Sequence, residues 1–172
     1  IDCAGIRLQE ATDALNAFGE IYYKQTMASG VIPQICAVFG KCGGGLSVLT
    51  ELADFTFMDS EKGKLFVNSP NAIDGNYTEK CDTASADFQS KESGNADVVG
   101  SEDDIIAQIR ELVSILPANN EDNTAYDECT DDLNRINENI EAYAGDTAYA
   151  LREISDNNMF FEVKSEYAKE MV

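Results

Sequence analysis

The stretch SGVIPQICAVFGKCGGGLSVLTEL, residues 29–52, decides the fold of this chain. Its apolar run over residues 31–39 predicts a buried strand. The glycines that follow, at positions 40 and 43–45, predict a tight turn, and a helix is predicted to start after them and to reach about Ala53. A strand that turns into a helix is the repeating unit of α/β folds, and we therefore expect a mainly parallel sheet covered by helices.

The glycine run at residues 43–45 has two interpretations on spacing alone. Without Cβ atoms a ligand can approach the main chain closely, and free N–H groups at a helix start can bind an anion or a developing oxyanion. Alternatively, the glycines relieve crowding between a strand and a helix. Local spacing does not decide between these interpretations.

A second glycine turn opens the chain, in the sequence DCAGIRLQ over residues 2–9. It lies at an apparent strand-to-helix junction, so its backbone N–H groups could also be aimed at an oxygen atom. Arg7 is placed to contact an anionic group, and a salt bridge with Asp2 or Glu10 is the equally open alternative. Neither turn is a Walker A loop, because no Gly-Lys-Ser/Thr follows.

The composition excludes several classes of function. Because the net charge is −20, the chain is not expected to bind nucleic acid through contacts with its phosphates. The charge is uneven, since residues 1–70 hold 8 acidic and 5 basic residues whereas residues 71–172 hold 24 and 7. An anionic ligand would therefore be better tolerated near the first half, and the acidic second half is interpreted as a solvated surface. With no histidine in the chain, Ser/His and Cys/His nucleophilic pairs are excluded, and no metal site is expected.

The cysteines and the chain ends bear on the cellular setting. Five cysteines form no CxxC pair, which is typical of free thiols in a reducing compartment. No apolar run is long enough to span a membrane and no signal peptide is visible, so a cytoplasmic protein without direct membrane insertion is expected. Both ends lie within apparent secondary structure, and we expect a fragment.

Further elements are predicted along the chain from periodicity and turn residues. The predicted helices cover residues 8–28, 77–90, 101–116 and 146–156, and the further predicted strands cover residues 54–58, 65–67, 96–99 and 159–163. Ser101 is predicted to cap its helix with Asp104 three residues later.

Several motifs in combination resemble the biotin-dependent acyl-CoA carboxyltransferase family. That family typically carries a DSGGARIQEG-like turn, then GEIF, ASGVIPQI, GPCAGG and an Asp-Phe strand. The corresponding segments here are residues 2–10, 19–22, 28–35, 40–45 and 54–55. Further on, SGNAD at residues 93–97 and IRELVSILPANN at residues 109–120 are similar to the family's SGVAD turn and its LPSNN linker. The resemblance covers nearly the whole chain.

The resemblance implies a partial crotonase-like ββα superhelix. Residues 1–117 would be the later part of a first, acyl-CoA-binding domain, residues 118–130 a linker, and residues 131–172 the start of a second domain. The implied activity is transfer of a carboxyl group between biotin, carried on a separate protein or domain, and an acyl-CoA. The implied partners are the acyl-CoA, the biotinyl carrier, the rest of the carboxyltransferase chain and further copies in a homo-oligomer.

The resemblance also assigns roles to residues of both turns. The amides of Ala4 and Gly5 would form the catalytic oxyanion hole for a thioester enolate. Gly43, Gly44 and Gly45 would line the acyl and pantetheine region, with Arg7 and Cys42 as further substrate-binding candidates. The packed-thiol interpretation of Cys42 stays open beside this one. The hole for biotin would lie beyond Val172, so this piece alone is expected to be inactive.

Three departures from the family pattern affect these expectations. Cys3 replaces a serine, Lys41 replaces a proline, and Ala4 stands where the family usually has glycine. If position 4 requires a positive φ, alanine is strained there and the hole is altered. The alternative function is a non-catalytic acyl-CoA-binding or assembly subunit that retains the fold.

Overall fold

A computed structural model describes residues 1–69, 82–122, 130–132, 134–138, 141 and 145–169 of the chain. The strands are β1 (Ile35–Val38), β2 (Lys41–Gly43), β3 (Phe55–Asp59), β4 (Lys64–Phe66) and β5 (Val98–Gly100). The helices are α1 (Ala11–Ala28), α2 (Ser47–Glu51), α3 (Ala86–Lys91), α4 (Glu102–Ile115) and α5 (Thr147–Ile154). Three short 3₁₀ turns cover Leu8–Glu10, Gly44–Leu46 and Asp156–Asn158.

Within the described residues the strands form two small sheets in which neighbouring strands are parallel, and a single antiparallel bridge joins Lys64 of β4 to Ser85. One sheet has the order β1-β3-β5, with Ile35 opposite Phe55 and Phe57 opposite Val98. The other pairs β2 with β4, with Cys42 opposite Leu65. The predicted α/β class with parallel strands is therefore confirmed.

Strand β3 is buried on both of its faces, which is why its sequence is nearly continuous in β-forming residues. Phe57 and Met58 are fully buried and point to opposite sides of the sheet, as neighbours in a strand must. Phe57 packs with Ile105 and Leu112 of helix α4. Met58 packs in a second cluster with Val38 and Cys42. The two clusters hold a helix on one face of the sheet and the second sheet on the other.

The glycine turn predicted after β1 differs from the structure. The chain bends at Gly40 and then forms strand β2, so residues 41–43 are strand instead of turn. The 3₁₀ turn Gly44–Leu46 follows and leads into α2, which ends at Glu51. Strand pairing with β4 decides this conformation, and that pairing partner lies more than 20 residues away in the sequence.

Other predicted boundaries also shift. The strand predicted over residues 31–39 is limited to β1, because Val31 and Ile32 lie in a turn and are about half exposed. The strand predicted over residues 159–163 does not form, and Phe161 instead packs its ring against Phe57. Of the helix predicted over residues 77–90, residues 77–81 lie outside the described residues. The helix present there is α3, capped by the Ser85 side chain, which accepts from the Phe88 amide.

Two helix predictions are confirmed in position. Ser101 and Asp104 form the predicted capping box of α4: each side chain accepts a hydrogen bond from the backbone amide of the other residue. Helix α1 occupies the predicted segment, but only some of the apolar residues that recur at helical spacing in it are shielded from solvent. Phe18 and Tyr22 are half-buried, whereas Leu8, Leu15 and Met27 are exposed.

The segment at residues 159–169 packs on the first part of the chain. Lys164 pairs with Asp97 at 3.2 Å and also donates to the Gly94 carbonyl. A Cβ on Gly94 would lie 3.1 Å from the Tyr167 ring, so this glycine allows the ring to approach. The domain boundary at residues 118–130 stays a prediction.

Candidate functional site

The two glycine turns identified in the sequence lie side by side. The Cys3 amide donates to the Lys41 carbonyl at 2.5 Å, and the Gly43 amide donates to the Cys3 carbonyl at 3.2 Å. These bonds pair the start of the chain with β2 in parallel, with Cys3 opposite Cys42. Ala4 and Gly5 therefore leave this pairing next to Gly43 and Gly44.

Two glycines at this junction have conformations that other residues rarely adopt. Gly5 has φ +136° and Gly44 has φ +63°. A Cβ on Gly44 would meet nothing closer than the Gly5 Cα at 4.0 Å, and a Cβ on Gly5 would lie 3.6 Å from the Gly43 carbonyl oxygen. A methyl group at either position would meet the facing backbone only at ordinary van der Waals distance, so glycine is required there for its conformation.

Gly43 and Gly40 are glycines for a different reason, which is close packing. A Cβ on Gly43 would lie 2.5 Å from the Ala4 carbonyl oxygen and 2.7 Å from the Phe66 ring. A Cβ on Gly40 would lie 2.1 Å from Asp2 Oδ1. The crowding interpretation of the glycine run is thus confirmed at Gly43, whereas binding of an anion or oxyanion by this run stays a prediction.

The amides of Ala4 and Gly5 donate to no group among the described residues. Ala4 is not among the residues with positive φ, so alanine carries no strain from this source at position 4. Two adjacent unsatisfied N–H groups can together donate to one oxygen that carries negative charge. Gly43 differs, because its amide is already used in the pairing with Cys3.

The two side chains predicted to bind substrate lie in different surroundings. Arg7 is exposed and pairs with Glu10 at 3.6 Å, which is the salt bridge that the sequence left open. The Cys42 side chain is completely buried, in agreement with a packed thiol. Burial raises the pKa of the Cys42 thiol to about 11, with a further contribution from the neighbouring Cys36. A side-chain contact between Cys42 and a ligand would require this part of the core to open.

Sequence reasoning missed two residues that hold the turns in place. The Asp2 carboxylate accepts a hydrogen bond from the Lys41 amide at 3.0 Å and so fixes the start of the chain on β2. The Tyr22 hydroxyl donates to the Gly45 carbonyl. Both contacts join residues more than 20 positions apart, and no local pattern indicates them.

Two further properties of the described residues concern metals and membranes. In this part of the chain, no three side chains of His, Cys, Asp or Glu are grouped so that they could hold a metal ion. Across the same residues, none of the helices has the length and apolar character needed to cross a bilayer.

Parallel pairing thus brings the two glycine turns together, and in the first turn the amides of Ala4 and Gly5 donate to no group among the described residues. The sequence pattern of the carboxyl transferase domain family matches residues 1–172, so the chain belongs to this family.

Particular relatives share this assignment. Methylmalonyl-CoA decarboxylase subunit alpha from Veillonella parvula is 34% identical over 99% of this chain and 36% of its own length. Propionyl-CoA carboxylase beta chain from Roseobacter denitrificans is 31% identical over 99% of this chain and 36% of its own length. The chain thus spans about a third of the length of these curated relatives.

A solved structure confirms the crotonase-like carboxyltransferase fold. Transcarboxylase 12S, with methylmalonyl-coenzyme A and methylmalonic acid bound, superposes with a TM-score of 0.88 at 28% identity. The match covers 98% of this chain and 35% of that chain.

Proposed function

We propose that the protein carrying this chain is the carboxyltransferase subunit of a biotin-dependent enzyme that moves a carboxyl group between biotin and an acyl-CoA. The observation that carries the proposal is the pair of amides on Ala4 and Gly5, which donate to no group among the described residues and lie beside Gly44. Membership of the carboxyl transferase domain family supports it.

The chemistry suits backbone donors. Breaking the bond between the α-carbon of an acyl-CoA and its carboxyl group leaves an electron pair that spreads onto the thioester oxygen as an enolate. Hydrogen bonds from the Ala4 and Gly5 amides would stabilise that oxygen most when its charge is greatest, so they would lower the barrier. Biotin on a carrier protein or domain would supply or accept the carboxyl group.

The substrate class follows from the relatives. Methylmalonyl-CoA decarboxylase and propionyl-CoA carboxylase are named for acyl-CoAs that differ by one carboxyl group. Transcarboxylase 12S is described with methylmalonyl-coenzyme A and methylmalonic acid bound and as a hexamer assembly. We therefore infer a short acyl-CoA carboxylated at its α-carbon, and a homo-oligomeric enzyme.

The domain assignment forms part of the same proposal. Residues 1–117 would belong to the acyl-CoA-binding domain, residues 118–130 to a linker, and residues 131–172 to the start of a second domain. Hydrogen bonds support the linker over its described part, because residues 118–122 form turns and Asn120 donates to the Val31 carbonyl at 2.9 Å.

An amide deletion tests the proposal directly. Proline at position 4 has no N–H, and the extended conformation it favours in the preceding residue suits Cys3, which lies in a strand pairing. In the full-length protein, assayed with methylmalonyl-CoA as carboxyl donor and biotin as carboxyl acceptor, Ala4→Pro should lower kcat by about 10²–10³-fold. Ala4→Gly keeps the amide and should stay within about threefold of wild type.

The alternative is a non-catalytic acyl-CoA-binding subunit, and the internally bonded Gly43 amide is the observation that favours it. A thermal-shift panel of malonyl-, methylmalonyl- and glutaconyl-CoA distinguishes the two functions when it is combined with turnover. Stabilisation without turnover would support the alternative. Equal turnover by Ala4→Pro and wild type would contradict the role of the free amides.

A further inference from the structure

Helix α1 contacts residues 44–49, called the glycine segment below, through two side-chain hydrogen bonds. The Tyr22 hydroxyl donates to the Gly45 carbonyl, and the Gln25 side-chain amide donates to the Leu49 carbonyl at 2.8 Å. No residue of α1 is fully buried, and these two bonds join the helix directly to residues 44–49. The Phe18 ring stacks on the Tyr22 ring at 5.8 Å and limits the positions that the tyrosine can take.

Tyr22 also occupies the space beside the Gly45 backbone. A Cβ on Gly45 would lie 2.7 Å from the Tyr22 hydroxyl oxygen but 3.8 Å from the Phe18 ring. The hydroxyl therefore fixes both the direction of the Gly45 carbonyl and the distance between α1 and this peptide. Gly45 directly follows Gly44, whose open side faces Gly5.

We propose that Tyr22 is a positioning residue for the acyl-CoA site, because its hydroxyl holds the backbone of Gly44 and Gly45 at its distance from the Ala4–Gly5 turn. This inference rests on the proposed function. Tyr22 does not touch the reacting atoms: it acts through the Gly45 carbonyl and sets the position of the Gly44–Gly45 backbone relative to the Ala4–Gly5 turn.

A pair of neighbouring tyrosines allows a matched test in the full-length protein. Tyr22→Phe removes the hydroxyl and keeps the ring, so the glycine segment loses one hydrogen bond while the stacking on Phe18 remains. The KM for methylmalonyl-CoA should rise roughly three- to tenfold, with kcat within about twofold, because the Ala4 and Gly5 amides are unchanged. Tyr23→Phe is the control, since Tyr23 is 66% exposed on another side of the helix.

The split between KM and kcat separates positioning from general stability. A role only in folding would reduce the amount of active enzyme, which lowers apparent kcat and leaves KM unchanged. That pattern, or a KM for Tyr22→Phe equal to that of Tyr23→Phe, would overturn the inference.

A double variant gives a second measurement. Gly45→Ala should raise KM, because its new methyl group meets the Tyr22 hydroxyl at 2.7 Å. In Gly45→Ala/Tyr22→Phe the hydroxyl is absent, so KM should equal that of Tyr22→Phe within about twofold. Additive effects of the two substitutions would overturn the inference.

Wild-type turnover separates this inference from the proposed function. Absence of methylmalonyl-CoA turnover by the wild-type protein in the presence of biotin as carboxyl acceptor would contradict the proposed function and the inference with it. Turnover by wild type with an unchanged KM in Tyr22→Phe would contradict only the role of Tyr22.

Discussion

At the scale of single residues, Gly43 lies where two backbone segments approach more closely than a side chain allows. Its α-carbon faces the Ala4 carbonyl oxygen and the Phe66 ring, and both would overlap with a methyl group. Since the carbonyl is backbone and the Gly43 amide is itself bonded to Cys3, neither side can move without breaking the pairing. The relative position of the two turns therefore depends on this glycine.

Gly43→Ala is expected to lower the free energy of unfolding by about 1–3 kcal/mol, because the new methyl group is overpacked. The measurement is urea unfolding of the full-length protein. Gly19→Ala is the control: Gly19 is in helix α1 with nothing within 4 Å of its Cβ, so alanine should stabilise by about 0.5–1 kcal/mol. A Gly43→Ala variant as stable as wild type would contradict the close approach.

The buried Cys42 thiol predicts a dependence of stability on pH. Its pKa is raised from 9.0 to about 11, chiefly by burial, whereas the thiol of the unfolded chain ionises near the ordinary value. The stabilisation from the neutral thiol is therefore complete below pH 9 and is lost as the pH rises towards about 11.

Unfolding free energies measured across this pH range test that prediction. Stability of the wild-type protein should fall more steeply with pH than that of Cys42→Ala, which has no thiol to ionise. Cys3→Ala should keep the wild-type slope, because Cys3 is exposed. Equal slopes for wild type and Cys42→Ala would show that the thiol does not contribute.

At the scale of elements, sequence patterns formed by residues close together in the chain predict the secondary structure best. The capping box of α4 joins residues three apart, so its sequence pattern is sufficient to locate the helix start. The glycine run behaves differently, because pairing with the distant strand β4 turns residues 41–43 into a strand. Residues 159–163 have high strand propensity, yet tertiary packing of Phe161 places them in an irregular segment.

Ser101→Ala should cost about 1 kcal/mol of stability, because the amide of Asp104 loses its acceptor at the helix start. Chemical denaturation measures this change. Ser114→Ala serves as the comparison within the same helix, where the hydroxyl donates only to the Glu111 carbonyl one turn back. We expect a smaller change there, and equal costs for the two serines would contradict a specific capping role.

At the scale of the whole molecule, both ends of the described chain pack on the same central sheet. The first three residues pair alongside β1 and β2. Phe161 lies near the other end of the described chain, and its side chain packs against the cluster formed by Phe57 and helix α4. The position of the candidate site therefore depends on contacts that close long loops of chain.

Phe161→Ala is expected to reduce stability by about 1–3 kcal/mol and to loosen residues 159–169, because the ring loses its contact with the core. Limited proteolysis of the folded protein should then cut this segment faster. Phe160→Ala is the matched control: that ring lies under the Arg152 guanidinium, 5.5 Å from it, and should cost less. Equal cleavage of the two variants would contradict the packing described for Phe161.

The sequence by itself determined the α/β class, the parallel pairing, the capped helix and, through motifs spread over the chain, the carboxyltransferase family. These features depend on residues that are close in the sequence, or on combinations of motifs that can be compared with those of a known family. Only the tertiary structure decided that Gly43 is a packing glycine while Gly5 and Gly44 are conformational ones. It also decided that the amides of Ala4 and Gly5 donate to no group among the described residues and that the Tyr22 hydroxyl donates to the Gly45 carbonyl. The physical reason is that each of these properties depends on atoms brought together from distant parts of the chain, and no local periodicity records such distances.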